Sequence, residues 1–194
     1  MALFRKKYTS LSQLVSACQQ QERRAQDAFY ERYKGRMLGV CVRYAKTVAE
    51  AEDIFQEAFI KIFERIHELK KPESADSWVK AVVVRTAINY YNRTTRQEER
   101  FTTYDYVVDE LISDDYDGLI KQLNLDALLA FINQLSDSYR LVVNLYLIEG
   151  YTHAEIAGLL NMPEATVRSQ YSRARQLLIK IIQQNGIERH EFFG

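Results

Sequence analysis

Residues that interrupt helices are scarce in this chain. Only seven glycines and two prolines occur in 194 residues, and the stretches between them are rich in Ala, Leu, Gln, Glu, Lys and Arg. These residue types have favourable helix propensities, whereas Gly and Pro cost about 1 and 3 kcal/mol in a helix interior. The sequence therefore predicts an all-α fold, and its length suits two small helical domains.

One segment departs from the helical pattern. Residues 102–125 contain six acidic side chains against the single Lys121, and no helical apolar period extends from Thr102 to Asp117. This composition is typical of a solvated, flexible linker. We therefore expect a first domain over residues 8–100, an acidic flexible linker over residues 101–121 and a second domain over residues 122–185.

Apolar residues of the first domain recur at helical spacing. Thr47 and Glu50 have the spacing of a capping box, in which the threonine hydroxyl accepts a bond from the amide three residues on and the glutamate reaches back. A helix should therefore begin near Val48 and bury apolar side chains between Ile54 and Ile66. A later helix is expected over residues 77–94, after a loop over residues 70–76. Its inward candidates are Trp78, Ala81, Val82 and Ile88.

The second domain ends in two helices around a tight turn. Thr152 and Glu155 form a second capping box that opens a helix ending at Leu160. The turn contains Pro163, which suits the first position of a following helix from Glu164 to about Ile182. This pattern is typical of a helix-turn-helix, and hydroxyl and guanidinium groups can contact phosphates and base edges in a major groove. The candidate DNA-contacting residues are Thr166, Arg168, Ser169, Ser172, Arg173 and Arg175.

Two stretches resemble one known family in the family's own order. The segment from Leu135 to Leu178 looks like region four of the ECF (extracytoplasmic function) sigma factors of bacterial RNA polymerase. Ala51-Glu-Asp-Ile-Phe-Gln-Glu-Ala-Phe-Ile-Lys-Ile-Phe is similar to the region-two signature, and Trp78 leads a segment similar to the promoter-melting helix. The resemblance implies a dissociable subunit that directs promoter-specific transcription initiation.

The resemblance also implies partners for the polar surfaces. In the family, residues corresponding to Asp53, Gln56 and Glu57 face the clamp helices of the polymerase's largest subunit. Ile60 lies beside them in the sequence and suits a protein contact more than water. The helix-turn-helix residues would bind the duplex of the -35 promoter element, and an anti-sigma factor as a third partner is a family-level expectation.

A second polar pattern lies in the helix expected over residues 77–94 and just beyond it, and its chemistry suits single-stranded DNA. Aromatic rings can stack on unpaired bases while arginines follow the backbone. The resemblance implies that this helix and the loop before it, about Leu69 to Ser77, hold a flipped base of the -10 element. Arg85 occupies a position where many relatives have Asn, which leaves the base preference open, and Tyr90 fits a core role equally well. The candidate residues are Arg85, Asn89, Tyr90, Arg93 and Arg96.

Other functions compete with this interpretation. The formal net charge is zero, and each charged stretch also fits a solvated helix face. A helix-turn-helix regulator that binds duplex DNA without polymerase remains an alternative. An enzyme is not expected, because His67, His153 and His190 are scattered and no phosphate-binding glycine loop or nucleophile constellation occurs.

No cofactor or metal is expected either. Cys18 and Cys41 lie inside helical patterns without a CxxC motif, which favours ordinary packing. No apolar run approaches the roughly 18 to 20 residues that a membrane span needs, and the N-terminus lacks a hydrophobic signal core. The sequence therefore predicts a cytoplasmic protein whose partners are RNA polymerase core and promoter DNA, both as duplex and as opened single strand.

Overall fold

A computed structural model describes residues 8–99 and 123–186, and every regular element in these ranges is helical. The predicted all-α fold is therefore confirmed. The chain divides into two compact units between Tyr90 and Tyr91. This division lies inside a helix, and the predicted acidic linker lies outside the described residues, so the domain limits stay predictions. None of the described helices is long and apolar enough to cross a membrane.

The described part of the first unit contains three complete helices and most of a fourth. They are α1 (Leu11–Gln19), α2 (Arg23–Val42), α3 (Val48–Arg65) and α4 (Ala75–Glu99), with short 3-10 turns at Ile66–Glu68 and Pro72–Ser74. Helix α2 packs against both α1 and α3. Its Phe29 and Tyr33 are fully buried, with ring centroids 4.6 Å apart, and Phe29 also meets Phe63 of α3 edge-on at 6.2 Å. Such aromatic pairs add to the area that the core buries.

The start of α3 confirms the prediction from the capping pattern. The Glu50 amide donates to the Thr47 hydroxyl at 3.2 Å, which places the first helical residue at Val48. The Glu50 carboxylate reaches one residue further back than expected and accepts from the Lys46 amide at 2.7 Å. Both side chains therefore cap the start of α3, but not through the reciprocal pair of bonds that defines a full capping box.

The prediction of which α4 side chains face the core is partly wrong. The helix begins at Ala75, and its core side chains include Val79, Val83, Ala87 and Ile88. Trp78 and Val82 are only half-buried and Ala81 is exposed, so Ile88 is the one inward candidate that the core contains. The four consecutive apolar residues from Ala81 to Val84 are the cause, because such a run does not identify which side of a helix faces inward.

The part of the second unit that the structure describes contains four complete helices. Its helices are α5 (Leu125–Ile132), α6 (Asp137–Val143), α7 (His153–Leu160) and α8 (Glu164–Gln184), and α6 continues into a π-helical segment at Asn144–Ile148. Helix α8 packs against α5, α6 and α7. Its Leu178, Ile179 and Ile182 are fully buried in the core of the unit.

Residues of the adjacent turns determine where α7 begins and ends and where α8 begins. Thr152 and Glu155 form the predicted full capping box, with the Glu155 amide donating to Thr152 Oγ1 at 3.3 Å and the Thr152 amide donating to Glu155 Oε2 at 2.8 Å. Gly150 has a φ of 80°, as suits a helix end, and Asn161 ends α7 in the left-handed region. Pro163 is the N-cap of α8 and not its first helical residue, a difference of one position.

Candidate nucleic-acid interface

Four candidate contact residues follow one side of α3. Asp53, Gln56, Glu57 and Ile60 are spaced i, i+3, i+4 and i+7, so they lie on one helix face, which we call the α3 face. Asp53 and Gln56 are exposed, and the Ile60 side chain is 60% exposed. Glu57 is half-buried and pairs with Lys61 at 2.7 Å. The structure brings the four together as a surface that is acidic at one end and apolar at the other.

The candidates on α4 do not all share one side. Arg85 and Asn89 are exposed and one turn apart, and Trp78 lies on the same side because it precedes Arg85 by seven residues. We call these three the α4 face. Arg93 is exposed one further turn along, whereas Tyr90 is half-buried and lies about 100° around the helix from Asn89. Arg96 belongs to the helix, but its side chain lies outside the described part of the chain.

The loop before α4 covers residues 69–74, so it is shorter than expected, and it is held at its start by α1. The Gln19 amide nitrogen donates to the Ile66 and Leu69 carbonyl oxygens, both at 3.0 Å. Within the loop, the Ser74 hydroxyl donates to the Lys71 carbonyl at 2.7 Å, and the Ser77 hydroxyl of α4 donates back to the Ser74 carbonyl at 2.9 Å. The loop therefore has a defined backbone path although it carries little regular structure.

The first turn of α4, directly after this loop, is held by α2. The hydroxyl of the buried Tyr33 donates to Asp76 Oδ1 at 2.7 Å, and the Arg36 guanidinium approaches the same oxygen at 3.5 Å. The Tyr33 hydrogen bond, aided by Arg36 and Arg32, lowers the pKa of Asp76, while burial and the Asp76 carboxylate raise the pKa of Tyr33 to about 12. Asp76 therefore stays ionised and Tyr33 stays a hydrogen-bond donor at neutral pH.

Helix α8 presents a polar surface at its start. Thr166, Arg168, Ser169, Ser172 and Arg173 are all exposed, and we call these five the α8 face. Val167, Ala174 and Leu178 lie on the opposite side, buried in the core. Arg175, the sixth candidate, is half-buried, and its Nη2 atom is shielded from solvent. The structure thus separates Arg175 from the other predicted contact residues.

One arginine of the α8 face has a carboxylate partner. The Arg168 guanidinium pairs with Glu164 in the first turn of the helix, and both side chains are substantially exposed. Exposed pairs at this spacing contribute only about 0.3 to 0.5 kcal/mol, so a DNA phosphate can compete for Arg168. Glu164 therefore restrains the guanidinium without burying it.

An aromatic cluster fixes the helices of the turn. The Tyr146 and His153 rings stack at 4.6 Å with an interplanar angle of 13°, and Tyr171 contacts them at 4.3 and 5.3 Å. These three residues belong to the π-helical segment, α7 and α8, respectively. His153 therefore acts in packing, and the cluster stabilises the angle at which α8 leaves the turn.

The cysteines are part of the packing as well. Cys18 and Cys41 are buried free thiols, and burial raises the pKa of each to about 12. A thiol with so high a pKa is a poor nucleophile and a poor metal ligand at neutral pH. Among the residues that the structure describes, no group of three or more His, Cys, Asp and Glu side chains could hold a metal ion.

Two family models match separate parts of the chain. The model for Sigma-70 region 2 matches residues 29–97, and the model for Sigma-70, region 4 matches residues 125–178. Each match lies inside one predicted domain, and together they cover more than half of the sequence. The first match contains the α3 and α4 faces, and the second contains the α8 face.

Relatives match along nearly their whole length. The RNA polymerase sigma-H factor of Pseudomonas aeruginosa is 27% identical over 180 residues, covering 88% of this chain and 93% of that protein. The ECF RNA polymerase sigma factor SigW of Bacillus subtilis is 28% identical over 167 residues, covering 80% and 89%. A chain in the co-crystal structure of the sigma factor RpoE with the anti-sigma factor NepR from Bartonella quintana is 18% identical, with a TM-score of 0.49, covering 80% of this chain and 97% of that one.

Proposed function

The chain belongs to the ECF sigma factors of bacterial RNA polymerase, and from that premise we propose how its surfaces divide promoter recognition. As a sigma factor, it binds core polymerase and directs initiation at specific promoters. We assign core binding to the α3 face, the opened -10 element to the α4 face with the loop before it, and the -35 duplex to the α8 face. The single observation that carries this assignment is the exposed α3 face, for which a regulator that binds only duplex DNA has no use.

The composition of the α3 face suits a protein partner. Ile60, at the apolar end of this face, is 60% exposed, and covering it with another protein lowers the free energy. Asp53 and Gln56 offer oxygen atoms to basic or polar groups at the edge of such a contact. Glu57 already has Lys61 as a partner, so it brings less uncompensated charge to the interface than Asp53 does.

The α4 face has the chemistry that an opened strand requires. Unstacking and flipping one base costs a few kcal/mol, and stacking on an aromatic side chain returns about 1 to 3 kcal/mol per base. Stacking on the half-buried Trp78 would therefore offset much of the cost of flipping one base. Arg85, Asn89, Arg93 and Arg96 would contact the backbone and base edges, whereas the half-buried Tyr90 would offer less of its ring to an unpaired base.

The α8 face suits the major groove of a duplex. Its hydroxyl groups and arginines lie within the first three turns of the helix, the part that enters the groove in helix-turn-helix proteins. Arg168 and Arg173 can donate paired bonds to guanine or single bonds to phosphate. Arg175 contributes less to DNA binding than Arg173 because part of its guanidinium is already shielded.

This function requires no bond chemistry by the chain itself. Sigma factors are non-enzymatic initiation factors, so neither a cofactor nor a metal enters the proposal. Because core polymerase acts in the cytoplasm, we place the protein there. An anti-sigma factor that holds the chain inactive stays a family-level expectation.

Promoter-dependent transcription with purified core polymerase tests the assignment. The Asp53→Ala, Gln56→Ala, Glu57→Ala triple variant should lose core binding and transcription by about 100-fold, while its -35 duplex affinity stays within about twofold of wild type. The matched control is Asp27→Ala, which removes an exposed carboxylate from α2 instead of α3. Full core binding by the triple variant would exclude the α3 face. Duplex binding by wild type without any core binding would support a polymerase-independent regulator.

A further inference from the structure

The loop before α4 is flanked by two hydrogen-bonded attachments to other helices of the first unit. Gln19 of α1 bonds to two carbonyls where the loop begins, and Tyr33 of α2 bonds to Asp76 in the first turn of α4, directly after the loop. These contacts join residues that are 43 to 50 positions apart in the sequence. They are therefore tertiary contacts that act on the loop specifically and not bonds within a helix.

We propose that Gln19, Tyr33 and Asp76 are positioning residues that hold the loop before α4 in the form that captures an unpaired promoter base. The inference rests on the proposed function of the first unit. None of the three side chains needs to touch DNA. Gln19 and Tyr33 act through the loop backbone and through Asp76, and Arg36 supports the same carboxylate.

The physical reason is the cost of ordering a loop during binding. Fixing the backbone of one residue weakens binding by roughly five- to thirtyfold when the ordering happens only in the complex. A loop that is ordered beforehand avoids this cost, so its contacts with the base appear fully as affinity. The exposed Lys70 and Lys71 lie in the held segment and would approach the strand's phosphates only if the loop keeps its path.

The bond from Tyr33 is suited to this role. The Tyr33 ring is fully buried, so the hydroxyl is delivered to Asp76 from a side chain that cannot swing away. The acceptor is a carboxylate in the first turn of α4, where a negative charge is also favoured by the helix dipole. Hydrogen bonds to ionised groups are the stronger class, so the link fixes the end of the loop and the start of α4 together.

The test uses the complete chain bound to core polymerase. The probe is a fork DNA, with a duplex upstream part and a single-stranded non-template overhang, selected by wild-type holoenzyme from a randomised pool. The measured quantity is the ratio of affinities for this DNA with and without its overhang, which isolates capture of the unpaired strand. Tyr33→Phe and Gln19→Leu should each lower this ratio by about tenfold, while core affinity and -35 duplex affinity stay unchanged.

Matched variants separate the loop contacts from general packing. Tyr30→Phe removes a hydroxyl from the same helix as Tyr33, and Gln20→Leu removes an exposed amide at the end of α1, beside Gln19. Neither should change the ratio. Asp76→Asn keeps an oxygen acceptor for Tyr33 and should retain most of the capture, whereas Asp76→Ala should lose it. Adding Tyr33→Phe to Asp76→Ala should cause no further loss, because both changes remove one bond.

The outcomes distinguish this inference from the proposed function. If wild-type holoenzyme gains nothing from the overhang, the proposed role of the first unit fails. If wild type gains affinity but Tyr33→Phe and Gln19→Leu keep the full gain, the positioning role is wrong. A loss of core affinity in parallel with capture, or additive effects of Tyr33→Phe and Asp76→Ala, would also overturn it, because both results indicate general destabilisation.

Discussion

Helices α4 and α8 carry the two candidate DNA surfaces, and they are positioned in different ways. Helix α8 follows a short turn in which Asn161 adopts a left-handed conformation, and its exposed residues follow from helix geometry alone. Helix α4 follows a longer loop, and Gln19 of α1 and Tyr33 of α2 hydrogen-bond at the start of that loop and just after its end. A major groove accepts one helix, whereas in our proposal the loop that captures an unpaired base is held by tertiary contacts.

The largest expected effect comes from the hydrophobic cores that support the two DNA surfaces. Leu178 is fully buried in the cluster that supports α8, and Leu178→Ala should destabilise the second unit by about 2 to 5 kcal/mol. We expect -35 duplex binding to be lost on heating well before core polymerase binding. Thermal unfolding of the full chain, together with both binding assays at each temperature, measures the effect.

Two further variants make this test specific. Ile62→Ala, at a fully buried position of α3, should have the opposite effect, so that binding to core polymerase is lost on heating before -35 duplex binding. Leu125→Ala, at a position that is 55% exposed, should change stability by less than about 0.5 kcal/mol. If Leu178→Ala abolished both kinds of binding at the same temperature, the two surfaces would depend on one cooperative core.

The second unit was more predictable from the sequence than the loop before α4. The capping box at Thr152 and the turn at Asn161 act over a few residues, so their pattern predicts the bounds of α7 and the start of α8, whereas α8 extends two residues beyond its expected end. The contacts of Gln19 and Tyr33 connect distant parts of the chain, and no local pattern indicates them. The apolar run from Ala81 to Val84 likewise does not indicate which side of α4 faces inward. The sequence predicts an inward Trp78, but in the structure Trp78 shares a side with the exposed Arg85.

Charged residues of the two surfaces give the next largest effect. Arg173→Ala should weaken -35 duplex binding by about 1 to 3 kcal/mol if the guanidinium contacts a base, or lower the salt slope by about one if it contacts a phosphate. Arg85→Ala should leave duplex binding unchanged and weaken capture of the single-stranded overhang instead. Both arginines are exposed, so neither substitution should disturb a core.

Binding measured over a series of salt concentrations separates these effects. Duplex DNA alone reports on α8, and the fork DNA with holoenzyme reports on α4 as well. Arg175→Ala serves as an internal comparison, since its half-buried side chain should affect folding more than DNA affinity. Equal losses of duplex binding for Arg85→Ala and Arg173→Ala would remove the distinction between the two surfaces.

The smallest expected effects come from the two helix caps, which share the pattern Thr-x-x-Glu. Thr152→Ala removes two hydroxyl bonds, one from the Glu155 amide and one to the Glu155 carboxylate, whereas Thr47→Ala removes the bond from the Glu50 amide. Replacing a threonine cap by alanine costs about 1 kcal/mol on average. We expect Thr152→Ala to be the more destabilising of the two in chemical denaturation, with α7 and the start of the DNA-binding turn affected first.

The pH dependence of that loss distinguishes a full box from a partial one. Bonds from the Thr152 backbone and hydroxyl lower the pKa of Glu155, so the folded state binds fewer protons than the unfolded state in the glutamate range. The stabilisation is therefore complete above the ordinary glutamate pKa and is lost as pH falls through the lowered value. Thr152→Ala removes the hydroxyl bond but keeps the amide bond, so the difference in stability from wild type should narrow in acid. A difference that stayed constant from neutral pH down to pH values below the glutamate range would show that the hydroxyl contributes only through the Glu155 amide, as Thr47 does for Glu50.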